Sequence, residues 1–180
     1  MPQKLPDYLA PKLRVVFCGT AAGKTSAAAG HYYAGPGNLF WTYLYRAGIT
    51  SEPLFPSTDY RVLEYGVGLT DLAKTIAASN DRGLRAHYHV DSFIQKIERY
   101  RPAWVAFHGK EAAKAVSRAL GRGDGVGLGE QQWRIGEVPA FVVPSASGAN
   151  RDASRLEGKV DRVEWFNELA VRLTRLPAGR

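Results

Sequence analysis

Short apolar runs alternate with amphipathic stretches along the 180 residues. Arg14-Val15-Val16-Phe17-Cys18 reads as a first buried strand. Residues 67–69 read as a short second strand, 104–108 as a third and 141–143 as the last, with 132–135 as a short edge strand or hairpin arm. Between them the spacing turns helical. Residues 38–47 place Phe40, Trp41, Leu44 and Tyr45 on one face, and Gly48 stops that helix. A second helix starts near Asp91 or Ser92. There Ser92 and Gln95 fit a capping box, and Phe93, Ile94, Ile97 and Tyr100 form the apolar stripe. Residues 110–120 form a helix stopped by Gly121. Residues 160–173 form the last, with Val160, Val163, Phe166, Leu169 and Leu173 facing inward. Residues 51–60, with Pro53 and Pro56, and the polar 80–89 are loops. Strands alternating with helices make an α/β chain: a mostly parallel sheet with helices on both faces.

In such a sheet the informative loops gather on one edge: 19–23, 70–71, 108–109 and 144–151. Open α/β proteins take their ligands there. The length suits one domain spanning 1–180. No apolar run approaches the roughly 20 residues of a membrane span. Residues 1–11 lack an apolar signal region, so a cytoplasmic protein is expected. One cysteine, Cys18, excludes an internal disulfide and a multi-cysteine zinc site. No metal or cofactor is expected, and the chain is expected to be a monomer. A formal net charge of +7 favours polyanions such as nucleic acid.

Gly19-Thr20-Ala21-Ala22-Gly23-Lys24-Thr25 admits two readings. A phosphate-binding loop needs glycine, four residues, then Gly-Lys-Ser/Thr. Here Thr20, Ala21 and Ala22 alone separate the glycines, so the loop is one residue short. Loop length sets the curvature of such an anion nest. Nucleotide binding through Lys24 therefore stands as an alternative. The other reading is a pocket for a nucleobase drawn out of DNA.

Six segments carry a resemblance: Asp7-Tyr8-Leu9-Ala10-Pro11; Leu13 to Gly19; Gly35-Pro36-Gly37-Asn38 with Phe40-Trp41; Gly66-Val67-Gly68-Leu69-Thr70-Asp71-Leu72; Gly109-Lys110-Glu111-Ala112; and Val143-Pro144 with Ser147-Gly148-Ala149-Asn150-Arg151. In this order and spacing they resemble the mismatch-specific uracil/thymine-DNA glycosylase family. The resemblance implies a three-layer α/β/α sandwich around a short, mostly parallel sheet. It implies hydrolysis of the N-glycosidic bond of uracil or another damaged base, without metal or cofactor. DNA is the implied partner, because the base must leave the stack to be reached.

By the same resemblance Tyr33 stacks on the base, and Gly19, Thr20, Ala21, Ser26 and His31 line its pocket. The family's first motif usually reads Gly-Ile-Asn-Pro-Gly, with the Asn positioning the attacking water. Ala21 stands at that Asn, and a methyl group holds no water. Asp71 is the expected replacement, just past the second strand, although an Asp there also suits a helix N-cap. Glu52, Asp59 and Glu64 are fallbacks that otherwise read as surface charges. Ser145, Ser147, Gly148, Ala149, Asn150 and Arg151 match the loop that enters the opened duplex, and Lys24 and Lys110 are expected at phosphates. Loss of the Asn leaves a further alternative, a lesion or abasic-site binder without chemistry.

Overall fold

The computed structural model describes residues 2–149 and 155–175. Five strands form one sheet: β1 (Val15–Ala22), β2 (Val67–Ala77), β3 (Trp104–His108), β4 (Gly129–Ile135) and β5 (Val138–Val143). Their order across the sheet is β2-β1-β3-β5-β4. All neighbours are parallel except the β4–β5 hairpin. The helices are α1 (Lys24–Ala29), α2 (Phe40–Arg46), α3 (Val90–Tyr100), α4 (Lys110–Ala119) and α5 (Val163–Thr174). Short 3-10 segments occupy Pro56–Tyr65 and Leu84–His87.

Strand alternation sorts the core into two layers. Phe17, Ala106 and Phe141 share one face, where α2 and α5 pack. There the Phe166 ring lies 6.2 Å from Phe17, 6.3 Å from Phe40 and 5.2 Å from Tyr43. Cys18 and Phe107 face the other way, toward α3 and α4, and Phe93 meets Phe107 at 5.9 Å. The α/β/α sandwich with a mostly parallel sheet is thus present as expected.

The N-terminal arm closes the β2 edge. Tyr8 exchanges both backbone hydrogen bonds with Leu69, and the Lys4 N–H donates to the Lys74 carbonyl. Gly68 makes this approach possible, since a Cβ there would stand 2.7 Å from the Tyr8 carbonyl oxygen. With β1 on one side and the arm on the other, β2 runs eleven residues, far beyond the expected three. Opposite the step from Ala21 to Ala22 it bulges, leaving Lys74, Thr75 and Ile76 without partners in β1.

Three local expectations need correction. Ser92 lies inside α3 rather than at its cap, because the helix begins at Val90 behind His89, with no side-chain cap. Val160 is 88% exposed, since α5 begins only at Val163. Tyr45 is half exposed, and Tyr43 takes the inward place beside Phe40, Trp41 and Leu44.

Phe166 is the aromatic that joins α5 to both β1 and α2. Phe166→Ala is expected to lower unfolding stability by about 3–5 kcal/mol, measured by urea denaturation.

Candidate active site

β1 outruns β3. Their pairing stops at Cys18–Phe107, while β1 continues beside β2 to Ala22. One edge of residues 19–22 is therefore not paired by β3, which leaves backbone donors and acceptors for a ligand. The segment is extended strand, not a glycine turn. Its N–H groups do not converge as a phosphate nest requires. Gly23 is extended too, and Lys24 is an exposed residue at the start of the six-residue α1. The phosphate-loop alternative loses its geometric basis.

Asp71 lies within β2, directly opposite Gly19. It neither follows a strand nor caps a helix, because the ladder continues past it. Opposed residues share a face, so the Asp71 side chain lies over Gly19. A Cβ on Gly19 would stand 2.7 Å from Asp71 Oδ1. Only glycine leaves that space open. The carboxyl is buried. Burial pushes its pKa up, Lys74 pulls it down, Asp7 pushes it up again, and a hydrogen bond from the Gly19 N–H opposes the rise. The result is about 6.

Beside this carboxyl stands an ion network that the sequence did not single out. Lys74 Nζ lies 2.8 Å from Asp7 Oδ1 and donates to the Tyr32 hydroxyl at 3.0 Å. Lys96 of α3 lies 2.6 Å from Asp7 Oδ2, and the Thr70 hydroxyl donates to Asp7 Oδ1 at 2.7 Å. Burial raises the Asp7 pKa, but Lys74, Lys96 and Thr70 together hold it below its ordinary value. Lys74 is itself buried. A signal was present in Leu72-Ala73-Lys74-Thr75-Ile76, since a lone charge in an apolar strand needs a counter-ion. Asp71, Lys74, Lys96 and His89 line a cavity of about 180 Å³ between the arm, β2 and the start of α3.

Tyr33 adopts φ +52°, a left-handed conformation. Its ring stacks on Phe40 with centroids 3.8 Å apart and lies 4.8 Å from the His108 ring. Its hydroxyl is buried and has no hydrogen-bond partner. It lies 3.9 Å from the point where a Gly19 Cβ would stand, on the same opening that Asp71 faces.

His108 ends β3. Its Nε2 accepts the Ala146 N–H at 2.8 Å. Burial, helped by Arg162, lowers its pKa to about 3. The ring is therefore neutral with its proton on Nδ1. Arg162 anchors the following loop, donating through Nη1 to the carbonyls of Ser145 at 3.0 Å and Ser147 at 2.9 Å. The Ser145 hydroxyl accepts the Ser147 N–H, and the Ser147 hydroxyl accepts the Ala149 N–H. The Leu39 N–H bonds the Ala146 carbonyl at 2.9 Å. Gly148 lies so near the 35–38 loop that its Cβ would stand 2.9 Å from the Pro36 oxygen. Asn150 and Arg151 lie outside the described residues.

The remaining candidates are braces. Ser26 is buried, its hydroxyl accepting the Ala34 N–H at 3.0 Å. The Thr20 hydroxyl donates to Asp81 at 2.7 Å. His31 Nδ1 lies 3.3 Å from Asp59 Oδ1. Asp59 is fully buried, not a surface charge. It also accepts the Tyr8 hydroxyl at 3.0 Å and the Tyr32 N–H at 2.9 Å, ordering the 31–33 turn. Glu52 and Glu64 are exposed partners of Arg61, and Lys110 pairs with Glu157. Among the described residues no group of three or more His, Cys, Asp or Glu side chains is placed to hold a metal ion. Nor is any helix among them long and apolar enough to cross a membrane.

The model of the uracil DNA glycosylase superfamily matches residues 6–170, nearly the whole chain and all the elements above but the last turn of α5. The chain belongs to the uracil DNA glycosylase superfamily. The fold agrees. A candidate uracil DNA glycosylase from Methanosarcina acetivorans, solved by solution NMR, superposes with a TM-score of 0.57. The two are 18% identical, and the match covers 95% of this chain and 97% of that one. The superfamily is one of DNA glycosylases, hydrolases of base excision repair that act on DNA. In this superfamily member the carboxyl over Gly19 is a buried acid of the sheet, beside the stretch of β1 that β3 does not pair.

A carboxyl whose folded pKa is raised to about 6 binds its proton more tightly folded than unfolded. Its favourable contribution is complete below pH 4 and is lost as pH rises through 6, where burying the charge costs stability. Asp71→Asn is therefore expected to stabilise the fold by a few kcal/mol at pH 8. The gain should vanish below pH 4 in denaturation curves across that range.

Proposed function

We propose that this chain is a monofunctional uracil-DNA glycosylase of the mismatch-specific kind, with Asp71 in place of the family's Asn. The observation that carries the proposal is a buried carboxyl with a pKa near 6, held over a glycine at the ligand edge. Ala21 gives the site only a methyl group. Asp71 takes a proton from water as the water oxygen bonds to C1′ of the flipped nucleotide. The C1′–N bond breaks and its electron pair leaves with the base. A pKa just below neutral suits that duty: the acid is ionised at pH 7 yet basic enough to accept a proton. Its negative charge also stabilises the cationic sugar as the base departs.

Tyr33, backed by Phe40, stacks on the base. Gly19, Thr20 and Ala21 offer it backbone groups along the unpaired edge of β1, and Ser26 and His31 hold the turn that carries Tyr33. The 145–151 loop, whose residues 145–147 are braced by Arg162 and His108, fills the duplex where the base has left, with Lys24 at a phosphate. Lys74 is held by Asp7 and Tyr32 and so is not free to form a Schiff base with the sugar. The protein works as a single-domain monomer inside the cell.

The test is incubation with uracil-containing oligonucleotides, single- and double-stranded, in EDTA. Uracil release should leave an intact abasic strand, at a rate that climbs with pH through about 6 as Asp71 ionises. Asp71→Asn should slow release about 10²–10⁴-fold while DNA binding persists. A wild-type protein that binds uracil or abasic DNA and never cleaves it would make the chain a lesion binder instead.

A further inference from the structure

We propose that the Tyr33 hydroxyl, as distinct from its ring, positions the attacking water together with Asp71. This rests on the reading of Asp71 as the base. The phenol is one of three buried side-chain polar groups without a partner among the described residues, with the Thr50 hydroxyl and the Trp133 indole N–H, and of the three it alone lies beside Asp71. Its oxygen is buried and unpartnered, and leaving such a group unpaired costs about 1–3 kcal/mol. The polar groups of the adjacent Tyr32 are engaged. The Tyr32 hydroxyl donates to the Pro6 carbonyl at 2.8 Å and accepts from Lys74. The Tyr32 carbonyl accepts the Trp41 indole N–H at 3.0 Å. Tyr33 is also held in a left-handed backbone conformation that non-glycine residues seldom adopt. A phenylalanine would keep the stack on Phe40 without the unpaired group.

Geometry gives the hydroxyl its task. The point where a Gly19 Cβ would stand lies 2.7 Å from Asp71 Oδ1 and 3.9 Å from the Tyr33 hydroxyl, so the carboxyl fills the space over the glycine and the phenol lies beside it. The two oxygens thus lie near one another over Gly19, and no hydrogen bond joins them. A water bonded to both would donate one hydrogen to Asp71 and accept the phenol O–H. One lone pair remains for C1′. When that water attacks, its proton passes to Asp71 and the phenol keeps its own. Tyr33 therefore orients and does not titrate, in keeping with burial and the nearby Asp71 charge, which raise its pKa far above the ordinary value. The pairing gives the phenol a partner that no described protein group supplies.

Tyr33→Phe separates this role from stacking. Single-turnover uracil release at saturating DNA is expected to fall about tenfold or more. Affinity for an uncleavable uracil analogue should be unchanged, because the ring remains, and thermal unfolding should move up by a few degrees, because a buried unpaired hydroxyl is gone. A merely structural tyrosine would give a less stable protein or no change. A Tyr33→Phe variant that cleaves at the wild-type rate, in a protein whose Asp71→Asn variant is inactive, overturns the inference and leaves Asp71 standing. Wild-type protein that never releases uracil fails the underlying reading instead. Tyr33→Leu, which removes ring and hydroxyl together, should lose affinity for the analogue as well.

Discussion

The site depends on one close approach: an aspartate in β2 set opposite a glycine in β1. Parallel pairing fixes which residues share a face, and a side chain at position 19 would occupy the place of the carboxylate. The carboxyl is thereby buried without being sealed, because β1 runs on past the end of its pairing with β3. Burial raises the proton affinity, and the open strand edge gives access. Both are what the general-base role proposed for Asp71 requires.

Charge around that carboxyl is balanced at a distance. Asp7 arrives on the N-terminal arm, bridges Lys74 and Lys96, and leaves the pair with a single net positive charge. That charge partly offsets the cost of ionising Asp71, while Asp7 itself opposes ionisation. The arm therefore has two duties. Its backbone covers an exposed strand edge that would otherwise invite pairing with another chain, and its side chain supplies the counter-ion that lets a lysine lie inside the β2 bulge. The same short arm, Lys4 to Tyr8, thus serves both the fold and the electrostatics around Asp71.

The second loop shows a related economy. Arg162 gathers two carbonyls, His108 accepts one amide as a neutral ring, and Gly148 lets the 35–38 loop lie against the backbone. Small residues permit the approach, and the charge that fixes them comes from just before α5. The loop is held through its backbone, by Arg162 and His108 from outside and by the Ser145 and Ser147 hydroxyls from within.

Much of this was legible in order along the chain. Apolar runs and helical spacing identify the parallel sheet, because burial on two faces imposes nearly continuous strands. The glycines at 19 and 148 mark close approaches of one segment to another, because only small residues allow them. Partners distant in sequence were not legible. Asp59 reads as a surface charge until Tyr8 and Tyr32, about fifty and thirty residues away, close over it. Asp71 reads as a helix cap until the arm supplies β2 with a second neighbour. Lys74 reads as a stray charge until Asp7 reaches it. Periodicity records what each segment must bury. The neutralisation of a charge depends on which segments meet, and only the assembled sheet decides that.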